Sequence, residues 1–132
     1  MRGCRTLKNE EIKSLLAAAP DQRARVLILV GLYLGTRISE SLTLTFKDFE
    51  HGPTVRIKSL KGSNDRELVI PDQLREEIEE LKLAYLDAGR DVEADTPLFL
   101  SQKGHNQAIS RQHASYIIKQ VKEQAELQGK VA

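Results

Sequence analysis

The chain has 132 residues, of which 40% are apolar and 30% are charged, a composition typical of a soluble globular domain and not of a disordered chain. The single cysteine, Cys4, excludes a fold held by intrachain disulfides. No apolar run reaches the ~20 residues of a membrane span, and no apolar segment follows the charged N-terminus. We therefore expect one soluble, cytoplasmic domain over residues 1–132.

The net charge of +1 hides an uneven distribution of charge along the chain. Residues 71–95 hold nine acidic and three basic side chains, whereas residues 1–70 hold eight acidic and twelve basic ones. Residues 96–132 hold two acidic and five basic side chains. A surface formed by the two basic parts of the chain, residues 1–70 and 96–132, would attract a polyanion. A solvated acidic helix between two surfaces of mixed charge explains the same pattern.

The first third of the chain is patterned as helices. Apolar residues at helical spacing predict an amphipathic helix over residues 9–19. The stretch 25–34 is apolar on nearly all sides, which predicts a buried second helix, capped by Asp21 and ended by Gly35. Thr36 is expected to cap a short third helix.

The middle of the chain changes to the alternation of strands. Residues 54–58 and 66–70 alternate apolar and polar positions around a turn-like sequence at 61–65, which predicts an antiparallel hairpin. Pro71 ends the second strand, and Asp72 is expected to cap a long acidic helix. The predicted inward positions of this acidic helix are Leu74, Ile78, Leu81, Tyr85 and Leu86.

The last third holds a short apolar run and a long helix. Residues 98–100 are predicted as a third strand, and Ser110 is expected to cap the last helix. The fold class is therefore α+β, mostly helical, with a small three-stranded antiparallel sheet. His51, His105 and His113 are too scattered to bind a metal, and no glycine-rich phosphate loop is present, so no cofactor is expected.

One candidate motif is Gly35-Thr36-Arg37-Ile38-Ser39-Glu40, which joins the buried helix to the next one. A guanidinium matches two phosphate oxygens, and Arg37 at a helix start would reinforce an anion site. Glu40, three residues later, shares its helical face and could orient that guanidinium. A surface Arg–Glu pair worth under about 1 kcal/mol explains the same residues, and residue types alone favour this simpler interpretation.

The other candidate motif is Lys61 at the tip of the predicted hairpin, beside Gly62, with Arg66 opening the return strand. A lysine on a flexible hairpin can enter a groove or protonate a leaving oxygen where its surroundings lower its pKa. Turns are commonly polar and commonly contain lysine, so the motif in isolation is more simply interpreted as an ordinary polar turn.

The two motifs together, in this order and with these intervening elements, resemble the catalytic domain of the tyrosine recombinases, the phage-integrase family. Residues 32–42, LYLGTRISESL, are similar to that family's first arginine box, and residues 44–49 to its continuation into the sheet. Residues 61–71, KGSNDRELVIP, are similar to the hairpin that bears the family's catalytic lysine. Residues 97–100 and the helix from Ser110 also fall where the family has them, so the resemblance runs from about Leu7 to Gly129.

The resemblance implies that the intact protein cleaves and rejoins double-stranded DNA through a covalent phosphotyrosine, with no metal, nucleotide, membrane or small-molecule partner. It implies that Arg37 clamps the scissile phosphate, supported by Glu40, and that Lys61, with Lys58 as a weaker rival, protonates the departing 5′-hydroxyl. A homo-oligomer on DNA is a further expectation for the intact protein. The expected contacts to backbone phosphates are Lys47, Lys58, Arg66 and Arg111.

The sequence departs from the family in its last part. The family's second box, His or Lys followed three residues later by Arg, is absent, and so are the later His/Trp position and the nucleophilic tyrosine. Tyr33, Tyr85 and Tyr116 are expected to be packing residues instead. We therefore expect a piece of a longer recombinase, or a naturally truncated product, that does not cleave DNA by itself and leaves apolar surface uncovered.

Two other functions compete with this interpretation. A non-catalytic helix-turn-helix module over residues 21–42 is disfavoured, because the helix at 26–34 is too apolar to lie on DNA. A protein-interaction domain indifferent to nucleic acid predicts no salt-dependent DNA binding.

Overall fold

The computed structural model describes residues 9–50, 52–58, 65–102 and 106–131. The first elements are helices α1 (Asn9–Ala18), α2 (Gln22–Leu34) and α3 (Ile38–Ser41), followed by a 3₁₀ helix (Phe46–Phe49). Strands β1 (Thr54–Ile57) and β2 (Arg66–Val69) come next, and helices α4 (Asp72–Asp87) and α5 (Arg111–Val131) complete the order.

Helix α2 lies at the centre of the molecule. It contacts all four of the other α-helices, and Val26 through Val30 are buried, as expected of a helix that is apolar on nearly all sides. The Asp21 carboxylate accepts a hydrogen bond from the Ala24 N–H at 2.9 Å, and Gly35 ends the helix in the left-handed conformation with φ 63°. The predicted buried helix and both of its caps are confirmed.

Helix α4 packs against α2 through one stripe of apolar side chains. Leu74, Ile78, Leu81 and Tyr85 are buried, as predicted. Leu86 is 46% exposed, so its predicted inward position is wrong. It follows Tyr85 by one residue and is therefore rotated by about 100° around the helix, away from the buried stripe.

The sheet within the described residues is a two-stranded hairpin, not a three-stranded sheet. Strands β1 and β2 pair antiparallel with Thr54 opposite Val69 and Ile57 opposite Arg66, which confirms the predicted hairpin. The predicted third strand at residues 98–100 is wrong, although its side chains are buried. Within the described residues, this segment and the adjacent Pro97 form only isolated bridges, Leu100 to Ala108 and Pro97 to Thr45, and Pro97 has no N–H with which to extend a ladder.

Two predicted helix caps are displaced by one residue. Arg37, not Thr36, is the N-cap of α3, and Pro71, not Asp72, is the N-cap of α4. Ser110 does cap α5, because its hydroxyl accepts a hydrogen bond from the His113 N–H at 3.0 Å.

The described residues form an α+β fold that is mostly helical, so the predicted class is confirmed. Helix α5 packs on α1, α2 and α3, whereas α4 packs on α2. Within the described residues, no helix combines the length and apolar character that crossing a membrane requires.

Candidate functional site around Arg37

Arg37 lies where the chain leaves the central helix. Gly35 turns the chain in the left-handed region, and Arg37 then has an extended backbone, φ −77° and ψ 157°, as the N-cap of α3. Its side chain is exposed. No acidic side chain in the described part of the chain forms an ion pair with its guanidinium. The donors of Arg37 therefore face solvent from a fixed point on the backbone.

Glu40 fixes that point through the main chain. Its Oε1 atom accepts a hydrogen bond from the Arg37 N–H at 2.9 Å. The same oxygen accepts a second hydrogen bond from Arg66 Nη2 at 3.1 Å. Glu40 thus binds the backbone of Arg37, while the guanidinium that it orients by hydrogen bonding belongs to Arg66 on β2.

Glu40 is charged despite its burial. Its side chain is only 9% exposed, and this burial by itself raises the pKa of the carboxyl. The hydrogen bonds from the Arg37 N–H and the Arg66 guanidinium, with the positive charges of both arginines, outweigh burial and lower the pKa of Glu40 below its ordinary value of 4.5. A buried carboxylate is therefore present beside Arg37 at neutral pH.

The short helix α3 is held by side-chain hydrogen bonds at both ends. The hydroxyls of Thr36 and Ser41 lie 2.7 Å apart, which links the residue before Arg37 to the last residue of the helix. The Thr43 hydroxyl donates to the Glu40 carbonyl oxygen at 2.7 Å. These bonds stabilise a helix of four residues that would be too short to persist alone.

Two lysines of α5 border α3. A shallow groove of about 330 Å³ separates the two helices and contains Ile38, the neighbour of Arg37, together with Lys119 and Lys122. Both lysines are exposed. These two lysines are not predicted from the sequence, because the residue pattern of α5 does not indicate which side of the helix faces α3.

A second shallow groove, of about 420 Å³, lies on the other side of α5 beside the end of α1. It is lined in part by the apolar side chains of Ala18, Ile117 and Tyr116. Tyr116 is 61% exposed, so α5 carries uncovered apolar surface on this side.

The structure brings together three of the residues predicted from the sequence: Arg37, Glu40 and Arg66. Lys58 is exposed directly after β1, Lys47 is exposed on the 3₁₀ helix, and Arg111 is exposed at the start of α5. Among the described residues, no hydrogen bond or ion pair joins any of these last three to Arg37. Lys61 lies outside the described residues.

The tyrosines occupy three different environments. Tyr85 is buried, donates to the Leu98 carbonyl at 2.6 Å and accepts from the Leu100 N–H at 3.0 Å. Burial raises the pKa of Tyr85 to about 12, so its hydroxyl is neutral and structural. Tyr116 is 61% exposed, so it is not a packing residue, whereas Tyr33 is 38% exposed and its hydroxyl donates to Gln73 of α4 at 2.8 Å.

Metal-binding geometry is absent from the described residues. Those residues contain no group of three or more His, Cys, Asp or Glu side chains that could hold a metal ion. Cys4, His51 and His105 lie outside them.

Comparisons with known proteins agree with this fold. The crystal structure of XerA recombinase superposes on the chain with a TM-score of 0.72 at 21% sequence identity, over 97% of this chain and 45% of the XerA chain. This chain therefore spans less than half the length of that recombinase. Among curated proteins no match to the chain is found.

The sequence itself identifies the family. The profile of the Phage integrase family matches residues 5–132, and the chain belongs to this family. The resemblance to the tyrosine recombinases that the two sequence motifs carry is confirmed.

Proposed function

We propose that this chain is the part of a site-specific DNA recombinase that binds duplex DNA and holds the phosphate to be cleaved. Membership of the Phage integrase family over residues 5–132 supports recombination as the activity of the whole protein. The observation that carries the local role is the exposed guanidinium of Arg37 on a backbone fixed by the buried Glu40 carboxylate.

Arg37 would bind the two non-bridging oxygens of the phosphate. A planar guanidinium donates two parallel hydrogen bonds to such oxygens, and its charge offsets the negative charge that develops as the phosphate is attacked. No carboxylate of the described residues competes for these donors. Glu40 would act as a support, because its carboxylate accepts a hydrogen bond from the Arg37 N–H and holds the backbone in place, while the guanidinium donors stay free for the phosphate.

A lysine of the hairpin would supply the proton. Lys61 would protonate the 5′-oxygen that leaves when the DNA strand is cut, with Lys58, three positions earlier and exposed beyond β1, as the alternative donor. Lys47 and Arg111 would contact backbone phosphates, which position the duplex without reading its sequence.

The nucleophilic tyrosine and the second arginine box that the family requires do not occur in these 132 residues. This chain by itself would therefore bind DNA without cleaving it. A DNA substrate that traps covalent protein–DNA adducts should yield none with this chain, and a trapped adduct would contradict this part of the proposal.

DNA binding at different salt concentrations tests the role of Arg37. Binding of a duplex should weaken as salt rises, because phosphate contacts release counterions. Arg37→Ala should weaken binding about tenfold, the value of one charge-assisted hydrogen-bonded contact, and should reduce the slope of log K against log salt by about 1. Lys13→Ala removes an equal charge from the exposed face of α1 and should leave the slope unchanged.

The alternatives predict different results. A protein-interaction domain would show no salt-dependent DNA binding, which would contradict the proposal. A helix-turn-helix reader would need a second helix long enough to lie in the major groove, whereas α3 has four residues and α2 is buried.

A further inference from the structure

Helix α4 presents an exposed face on the side opposite the stripe that packs against α2. Because successive residues are rotated by about 100° around a helix, the sequence of α4 determines which positions lie on that side. They are Asp72, Glu76, Glu79, Glu80, Leu83, Leu86 and Asp87. All of these residues are exposed, and together they are called the outer face of α4 below.

The outer face of α4 carries negative charge that the described part of the chain does not neutralise. It contains five carboxylates and no basic side chain. No ion pair of the described residues includes any of these carboxylates, whereas Glu77, on the flank of α4 beside α2, pairs with Arg25 at 2.9 Å. Arg75 and Arg90, the arginines nearest in sequence, donate instead to main-chain carbonyl oxygens. The carboxylates of the outer face therefore have no cationic partner within the described residues.

Two leucines lie among these carboxylates. Leu83 is 53% exposed and Leu86 is 46% exposed. They are three positions apart, so they adjoin on the helix surface and form one apolar patch. Single exposed leucines are ordinary, but adjoining leucines bordered by charged residues are the pattern of a helix that packs against another helix.

The charge of the outer face determines what can cover it. Its carboxylates would repel the phosphates of DNA. They would also repel the same face of a second copy in a symmetric dimer, where each outer face would meet its counterpart. A partner with cationic side chains would instead neutralise the carboxylates, and apolar side chains between those cations would cover the two leucines.

We propose that the outer face of α4 is a docking surface for a basic amphipathic helix of another protein. Apolar side chains of that helix, spaced at three or four positions, pack against Leu83 and Leu86, and lysine or arginine side chains beside them pair with the surrounding carboxylates. This surface is separate from the phosphate site proposed around Arg37. Helix α4 packs on α2, whereas Arg37 begins α3, which packs on α2 and α5.

Binding of a synthetic peptide to the full 132-residue chain tests this surface. The probe is a fluorescein-labelled helical peptide of about 18 residues of leucine and lysine, with the leucines on one helical face. Fluorescence anisotropy should detect binding that weakens as salt rises. A peptide of the same pattern with glutamate in place of lysine should not bind. The absence of binding by the lysine peptide, or equal binding by both peptides, would overturn the proposal.

Removal of the apolar patch tests its part in docking. Leu83→Ala with Leu86→Ala should weaken binding of the lysine peptide about tenfold, because both side chains lie at the centre of the proposed contact. Tyr116→Ala removes an exposed apolar side chain from α5 and should leave binding unchanged. Equal losses in the leucine variant and in Tyr116→Ala would overturn the proposal, because any exposed apolar residue would then have the same effect.

Removal of charge tests the part of the carboxylates. Glu79→Gln with Glu80→Gln removes two charges within one turn of Leu83 and should weaken peptide binding about fivefold. Glu10→Gln with Glu126→Gln removes the same charge from exposed positions of α1 and α5 and should have little effect. Equal losses in these two double variants would assign the binding to net charge and would overturn the docking surface. Circular dichroism verifies that each variant is folded.

Two further measurements on the leucine variant, Leu83→Ala with Leu86→Ala, test the assigned partner. Its mass in sedimentation equilibrium should equal that of wild type. A wild-type dimer that this variant dissociates would make a second copy the occupant and would overturn the proposal. Its affinity for a DNA duplex should also equal that of wild type, and a lower affinity would overturn the separation of the outer face of α4 from the DNA-binding surface.

Discussion

The carboxylate of Glu40 and the guanidinium of Arg66 lie 3.1 Å apart, and this ion pair joins β2 to the short helix α3. It differs from the salt bridge between Arg56 and Asp65, whose atoms are 3.9 Å apart and whose side chains are both well exposed. The arginines of both pairs lie on the same hairpin, so the pairs provide an internal comparison of a partly buried pair with an exposed one.

Removal of Glu40 should destabilise the chain more than removal of Arg66. Arg66→Ala leaves the Glu40 Oε1 atom with one remaining partner, the Arg37 N–H. We expect it to lower the free energy of unfolding by about 1–3 kcal/mol, between the values for exposed and buried ion pairs. Glu40→Ala also leaves that N–H without its acceptor and should cost more. Urea denaturation measures both, with Arg56→Ala expected within about 0.5 kcal/mol of wild type. Equal losses for all three variants would contradict the prediction.

The stability of the chain should fall below about pH 4.5 because of two paired carboxylates. The pKa of Glu77 is lowered, first by its hydrogen bond with Arg25, and that of Glu40 is lowered as its hydrogen bonds outweigh burial. A carboxyl whose pKa is lower in the folded than in the unfolded state stabilises the fold above its unfolded pKa. This stabilisation is lost as the pH falls through the folded value.

Comparison of urea denaturation at pH 7 and pH 3 checks this expectation. Glu40→Gln and Glu77→Gln should each lose less stability between the two pH values than wild type does, because one titrating group has been removed. Glu79→Gln changes an exposed residue of the same helix as Glu77 and should resemble wild type. If both test variants kept the pH dependence of the wild type, groups other than Glu40 and Glu77 would be responsible for the loss of stability at low pH.

Tyr85→Phe should be strongly destabilising for a single-atom change. The lost hydroxyl leaves two buried backbone groups, the Leu98 carbonyl and the Leu100 N–H, without their partner. We expect a loss of at least about 2 kcal/mol in urea denaturation. Tyr33→Phe removes an exposed hydrogen bond to Gln73 and should cost under about 1 kcal/mol. Similar losses for the two variants would contradict the assigned structural role of the Tyr85 hydroxyl.

The elements that the sequence predicts correctly are those determined by local pattern. Helix α2 is apolar on nearly all sides, which leaves it no position except the centre, and the alternation around residues 61–65 determines the hairpin. The apolar run at 98–100 also has the local pattern of a strand, but it does not form one. It is held instead by the Tyr85 hydroxyl and by single bridges, of which the one from the adjacent Pro97 reaches back to Thr45, and no local pattern indicates these partners.

The site around Arg37 also contains contacts that local sequence patterns do not predict. The spacing of Arg37 and Glu40 predicts that they interact, because residues three apart share a helical face. Whether Glu40 contacts the backbone or the guanidinium depends on α3 beginning after Arg37, one residue later than the Thr36 cap predicts. The partner at Arg66 is 26 positions away, and no local spacing indicates it.

Lys119 and Lys122 should contribute to DNA binding, because they border the groove beside Ile38 and thus lie on the side of the molecule that carries Arg37. If both contact phosphates, Lys119→Gln with Lys122→Gln should reduce the slope of log K against log salt by about 2, with a fold and thermal stability like wild type, since both side chains are exposed. The matched control is Lys13→Gln with Lys82→Gln, which removes the same charge from α1 and α4. Equal reductions in the two double variants would mean that net charge, and not the position of these lysines beside Arg37, determines the affinity for DNA.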